Sequence, residues 1–505
     1  MHKNRQHTWP ALAIGLVWAL AGSAVAQQLD PAAEAAVHLL RRSTQASRSS
    51  DQITMLQALH QLRDPALTPL FDRLAKSPHL RLKIHGVLAL AEVAQPPLLD
   101  LTRVMEIDNT AALAELVGAA LDKDLLNDDQ AVQMLNWSEL ETGVKVILAS
   151  HLIKKGLAVD QAILRKALEA QVLGQRALGM LLLLQTDDAA TIDQLTDILD
   201  TDDAKRDQVR AMLLGTVIEY GFERAAPWAE QVRAEPGVDP NLALGALRAG
   251  LRFANPAAVA AWRKQYDAAP GLAHKTRLGI IALQSAPWLE PSLFDPLIAE
   301  PDETGLLSQI GRAGAAIAGN SGITDAVIAL IQLNHPVTSE WALNYARREA
   351  TDDDAQAILL GLILAFDGPD QHRVQRFARS IAAAQNLYER NPDAAAGTIR
   401  AVLTDPQTSA ELARAVLFGL IQTDGPNPHA ALTGLPPFAD RDSNVLALIL
   451  LAKHGQPISE RQKQELALLV RGGGGLQDAL RVQAAWAYLK QTHQEQTALA
   501  KVLAP

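Results

Sequence analysis

Asp440, Asp442 and Asn444 open a D-x-D-x-N run, the order in which a calcium loop begins because hard cations take carboxylate and amide oxygens. Its sixth position is Val445, where the sharp turn needs Gly, and its twelfth is Leu451, where a bidentate Glu belongs. The run therefore reads as a helix-capping turn. The acidic runs 200–203 and 352–354 fail the same test and read as solvated caps. The glycine run 472–475 is not followed by the Lys-Ser or Lys-Thr of a phosphate-cradling loop, so it reads as a turn between helices. The 13 histidines include no H-E-x-x-H pair, and the sequence 319–322 (GNSG) lacks the spacing of a nucleophile elbow. With no cysteine in the chain, disulfides, thiolate zinc sites, iron–sulfur clusters and a thiol nucleophile are excluded. No catalytic residue, metal ligand set or cofactor motif survives, and the expectation is a non-enzymatic protein without a cofactor.

Arginines and aromatic rings do gather in one stretch. Trp341, Asn344, Tyr345, Arg347 and Arg348 are followed by His372, Arg373, Arg376, Phe377 and Arg379. Ring faces and guanidinium forks together suit an acidic segment of a partner, or a sugar or lipid head group. The competing reading is a solvated face, because Glu340, Glu349 and the run 352–354 lie among these residues and can pair with them.

Helices must position all of this. From about residue 51 onward, segments of helical periodicity alternate with short turns rich in Asp, Asn, Pro and Gly, and nothing reads as a strand. Asp or Asn followed by Pro marks eight expected starts, at Asp30, Asp64, Asp239, Asn255, Asp295, Asn391, Asp405 and Asn427. The acid or amide can cap a free N–H, and Pro at the first helical position sacrifices no hydrogen bond. A second type of helix is apolar almost all round, with Gly or Ala mid-way. It appears as LKIHGVLALAEV from Leu82, VRAMLLGTVIEYG from Val209, TRLGIIALQS from Thr276, ARAVLFGLIQTDG from Ala413 and LRVQAAWAYLKQT from Leu480. Weaker copies start near Ala111, Val144, Gln175, Leu242, Leu307, Ser339, Val374 and Asn444, a spacing of roughly 30 to 36 residues that marks a helical repeat array. An all-apolar helix must be covered on both sides, and small residues let its neighbours approach closely.

The best single unit, residues 64–95 (DPALTPLFDRLAKSPHLRLKIHGVLALAEVAQ), resembles the short HEAT-like repeats of phycobilisome lyases and many bacterial repeat proteins. The resemblance implies an all-α fold, a right-handed α-solenoid of stacked helix pairs (a HEAT-like or ARM-like superhelix) with about twelve or thirteen units. It further implies that Lys83, Arg176, Arg210, Arg277, Arg414 and Arg481, near the starts of second helices, form a polar ladder with neighbouring turns. An anion-reading stripe is the alternative for these six residues.

Composition and address bound the partner. Residues 1–26 have a basic start, an apolar stretch and Ala24-Val25-Ala26, the plan of a signal peptide cleaved after Ala26. The expected organisation is thus 1–26 signal peptide, 27–50 N-terminal helix and linker, and 51–505 repeat array, with an irregular junction near 336–405. Export would place the mature chain in a periplasm or outside the cell. Removal of the leader takes away Lys3 and Arg5 and no acid, moving the formal charge from -10 to -12, which opposes binding to nucleic acid. No later stretch is apolar enough to span a membrane, so no integral membrane segment is expected in the mature chain. The expected function is an exported binding scaffold for a protein partner, with no small-molecule ligand indicated. The alternative is a helical-toroid enzyme, a polysaccharide lyase or hydrolase or a lyase-like HEAT protein, whose site would be assembled from distant repeats. The 8 Trp, 5 Tyr and 8 Phe are few for a sugar-stacking cleft.

Overall fold

The computed structural model describes residues 29–45, 50–366, 372–423, 425–472 and 478–504. The expected signal peptide and most of the glycine run 472–475 lie outside them. The described residues form 28 α-helices joined by short turns and 3-10 turns, with no strand. All thirteen expected second helices fall within helices, from Leu80–Val93 to Asp478–Gln491.

The two helix types bury themselves as their sequences require. In Leu173–Thr186 the consecutive residues Met180, Leu181, Leu182, Leu183 and Leu184 are all buried, so that helix is covered on every side. The next helix, Ile192–Leu199, buries only Leu195 and Leu199, one stripe at i, i+4 spacing. Five of the eight expected starts are capped by the Asp or Asn side chain: Asp30, Asp64, Asp239, Asn255 and Asn391. The other three differ. Asp295 is already inside its short helix, Asn427 takes a left-handed conformation (φ 53°) without a capping bond, and Asp405 ends the preceding helix, leaving Ser409 to cap the next.

Clustering of the chain gives two compact units. One runs from Leu74 to Leu450. In it Leu80–Val93, Thr110–Asp122, Thr142–Lys154, Leu173–Thr186, Asp203–Tyr220, Pro240–Arg252, Leu272–Gln284 and Leu306–Ala318 pack each on the next. A single apolar core follows the series from Ala75 to Ala249. Beyond Ala318 the succession changes: Ile323–Gln332 packs on Asp352–Leu364, which packs on the long helix Arg373–Arg390. Close approach there depends on glycine. A Cβ on Gly419 would stand 2.6 Å from the Ile381 carbonyl oxygen and 2.8 Å from the Ala384 methyl, so Ala410–Gln422 could not lie as near to Arg373–Arg390 with any side chain there.

The other unit joins the two chain ends, residues up to Arg73 with Leu451 onward. Pro31–Ser43 packs on Asp478–Gln491 and Glu495–Leu503, and Ser50–Gln61 also packs on Asp478–Gln491. Asp64, only 6% exposed, accepts from the Trp486 indole N–H (2.8 Å) and from Lys490 (2.7 Å). Among the described residues no helix is long and apolar enough to cross a membrane.

Candidate functional site

The six ladder cations all bond to nearby turns. Lys83 donates to the Glu106 carbonyl (2.8 Å), Arg176 to Thr201 (2.9 Å), Arg210 to Glu235 (2.7 Å) and Arg414 to Asp442 (3.2 Å), each reaching forward to a later turn. Arg277 instead reaches back to Asn241 (2.6 Å), and Lys275 makes the forward contact, to Glu300 at 2.6 Å. Arg481 stays within its own region, on Asp478 and the Val470 carbonyl. With their forks engaged, these side chains hold turns together. The run at 440–444 is likewise a cap: Asp440 accepts from the Ser443 N–H and Asn444 ties back to Phe438.

The arginine and aromatic stretch is divided by the fold. Trp341 and Tyr345 stack at 5.4 Å, with Arg347 and Arg348 exposed beyond them and Asn344 exposed beside them. Arg373 is engaged by Glu411 at 2.7 Å. Arg376 and Arg379 are 5% and 8% exposed, so they serve packing and offer no surface to a partner. Arg379 donates to the Ala365 carbonyl (2.7 Å), and burial pushes its guanidinium down to about 10, with the charge of Arg376 acting in the same direction. Tyr345 and Arg348 of this stretch line a cavity.

That cavity, of about 1280 Å³, lies within the unit 74–450. It is built from helix ends. The last turns of Thr110–Asp122, Thr142–Lys154, Asp203–Tyr220, Pro240–Arg252, Leu272–Gln284, Leu306–Ala318 and Pro336–Arg348 all line it, so side chains far apart in sequence meet there. Cations in a last turn face the negative end of the helix dipole, which favours Lys154, Arg252 and Arg348 where they stand.

Two regions of the lining differ in how their charges are met. Lys154 pairs with Glu219 at 3.2 Å and lies 4.7 Å over the Tyr220 ring, and Lys155 pairs with Asp128 at 2.6 Å. His151 stands 3.7 Å from Asp128, but burial and Lys155 hold its imidazole below the usual histidine value. By contrast, Arg248, Arg252 and Arg348 surround Glu349 with no ion pair to it or to any other described residue. The Arg252 guanidinium lies 3.3 Å over the Trp288 ring, and the Nε of Arg248 is buried with no hydrogen-bond partner. Burial pulls both guanidiniums down against the opposing charge of Glu349. Glu349 is exposed as a residue, but desolvation by the cavity walls pushes its carboxyl above the usual carboxylate range in spite of three neighbouring arginines.

Arg248, Arg252 and Trp288 were not singled out by motif or spacing, and Glu349 was read only as an acid that could pair with neighbouring arginines. Their signal was a basic residue in the last turn of a second helix, opposite to the helix starts that drew attention. Among the described residues no group of three His, Cys, Asp or Glu could hold a metal ion.

An all-α protein results, with a helix succession compatible with a helical repeat protein and a large cavity lined by helix ends. No protein-family model matches the chain, and comparison with curated proteins and with solved structures gives no match.

Proposed function

We propose that this protein is an exported, non-enzymatic binding scaffold, a right-handed solenoid of HEAT-like repeats that takes a segment of a protein partner into the cavity of unit 74–450. The observation that carries this reading is the convergence of seven helix C-termini on one cavity, which brings residues 118 to 349 to a common surface. A cavity of that size, half polar and open to solvent, suits an extended segment, and the mixed lining supplies both apolar and charged contacts. Export rests on the leader-like residues 1–26. Site-specific photocrosslinking in the exported fraction of the source cell tests it. Crosslinkers at Gln284 and Asn320, which line the cavity, should capture the same partner, whereas one at Asp193 on an outward helix should not. Equal capture from all three positions, or none from the cavity, sinks the reading.

A second reading, glycan cleavage at a site assembled from distant repeats, draws on Glu349, a carboxyl pushed upward beside Tyr345 in the same cavity. Release of reducing ends from polysaccharides by the purified chain, abolished by Glu349→Gln, would favour it over the scaffold.

A further inference from the structure

Arg248 and Arg252 lie four residues apart on one helix, so they share a face and repel one another. A chain that only needed stability there would pair them, as Lys154 and Lys155 are paired a few helices earlier. Arg348 adds a third guanidinium and Glu349 only one carboxylate, leaving this region with two positive charges in excess. The Nε of Arg248 is buried without a hydrogen-bond partner, as are those of Arg210, Arg414 and Arg481, but those three guanidiniums are met by carboxylates and that of Arg248 makes no ion pair to a described residue. Arg252, held flat on Trp288, keeps its orientation, which lowers the entropy lost when its fork is engaged.

The first helix lining the cavity carries the reverse charge. Asp122 and Asp124 project there, exposed, with no ion pair to a described residue. Between the two regions, Lys154 and Glu219 cancel one another. The packing order of the helices sets the free acids and the free arginines apart along the cavity. A uniformly anionic ligand such as a phosphate-rich polymer would meet the arginines but be repelled by Asp122, Asp124 and Glu219. A segment with acidic residues at one end and basic residues at the other complements both regions.

From these features we infer that the cavity binds a mixed-charge peptide segment of the partner, with Arg248, Arg252 and Arg348 clasping its carboxylates and Asp122 and Asp124 receiving its basic end. The inference rests on the scaffold reading above and names the chemistry of the segment. Carboxylates at this site would be held by charge-assisted, forked hydrogen bonds, and the one meeting Arg248 would satisfy its free Nε.

Fluorescence anisotropy on the full exported chain at low salt tests this with amide-capped, labelled octapeptides. One peptide carries Glu-Glu at one end and Lys-Lys at the other, a second replaces the glutamates by Gln, and a third is acidic throughout; inorganic phosphate is the competitor. The mixed peptide should bind at least about tenfold more tightly than either other peptide, a margin that one or two charge-assisted bonds supply. Arg252→Gln should remove that margin. Asp122→Asn with Asp124→Asn, which leaves the arginines intact, should weaken the mixed peptide and strengthen the acidic one. Circular dichroism melts matched to the parent chain show that the variants fold. Equal binding of the Glu and Gln peptides, tightest binding of the acidic peptide, or displacement by phosphate at equal concentration each overturns the inference. If the peptides fail while crosslinks from Gln284 and Asn320 persist, the scaffold reading stands and only the charge assignment falls; if the crosslinks also vanish, both fall.

Discussion

At the scale of single residues, Glu349 separates a site from a structural ion pair. Its neighbours Arg252, Arg348 and Arg248 favour the carboxylate, yet desolvation by the cavity walls outweighs them, although the residue as a whole is exposed, and the folded chain holds the Glu349 proton more tightly than an unfolded chain does. A raised carboxyl pKa makes stability fall as pH rises from the unfolded value, near 4.5, through the folded one, and the loss is complete above both. Glu349→Gln removes that titration and resembles the protonated form. The variant should therefore be more stable than the parent at pH 7, with the difference vanishing as pH falls below about 4.5. Thermal melts of both chains across that range check it, and a variant less stable at pH 7 would show that the arginines hold Glu349 as a structural partner. Arg210 gives the contrast, since the charge of its buried guanidinium is met by Glu235 at 2.7 Å through one of its terminal nitrogens.

At the scale of the element, the Asp-Pro and Asn-Pro starts show how far local chemistry reaches. Asp239 accepts from the N–H groups of Asn241 and Leu242 and starts a thirteen-residue helix, whereas Asp295 in the same sequence context accepts no capping bond. Asp239→Ala should cost about 1 kcal/mol in urea unfolding, and Asp295→Ala only a few tenths. Equal losses at the two positions would mean that the Pro, and not the side-chain cap, sets these helix starts. The dipeptide is local, but whether its acid caps depends on where the preceding helix stops, and tertiary packing decides that at Asp295 and Asp405. The helices themselves were legible because an all-apolar run such as LGMLLLL can only be a covered helix here. The ladder was legible for the same reason, as it repeats with the units. The cavity was not, because Arg252, Trp288 and Glu349 come from three separate turns and each alone looks ordinary. A cation in a last turn is explained by the helix dipole, and only the assembled helix ends reveal that Arg252 and Arg348 lack ion-pair partners beside Arg248. The stretch from Trp341 to Arg379 failed in the opposite way, since proximity in sequence suggested one patch while helix rotation buried Arg376 and Arg379.

At the scale of the molecule, the two chain ends form one unit, and at its seam the buried carboxylate of Asp64 stands among several cations. Asp64 caps its own turn through one oxygen, donated to by the Ala66 N–H, and receives Trp486 and Lys490 on the other. Burial, with Arg63 and Lys490 acting alike, holds the Lys453 ammonium down to about 8, and Asp64 is the group that opposes this. Losing Asp64 would therefore strand two donors and leave the neighbouring cations without their counter-charge. Asp64→Asn, which keeps the capping oxygen, should destabilise this unit by about 2 to 4 kcal/mol, more than the loss of an ordinary cap. Lys490→Met alone leaves Asp64 charged and under-paired, so the double variant should be less unstable than the sum of the two, by about 0.5 to 3 kcal/mol. Hydrogen exchange supplies the second readout. Because Ser50–Gln61 and Asp478–Gln491 pack directly on one another, the single variants should lower protection in both helices together, although more than 400 residues of chain separate Asp64 from its partners. Loss confined to the turn around Asp64, with additive energies, would mean that apolar packing alone joins the ends and that the buried carboxylate only caps its own turn.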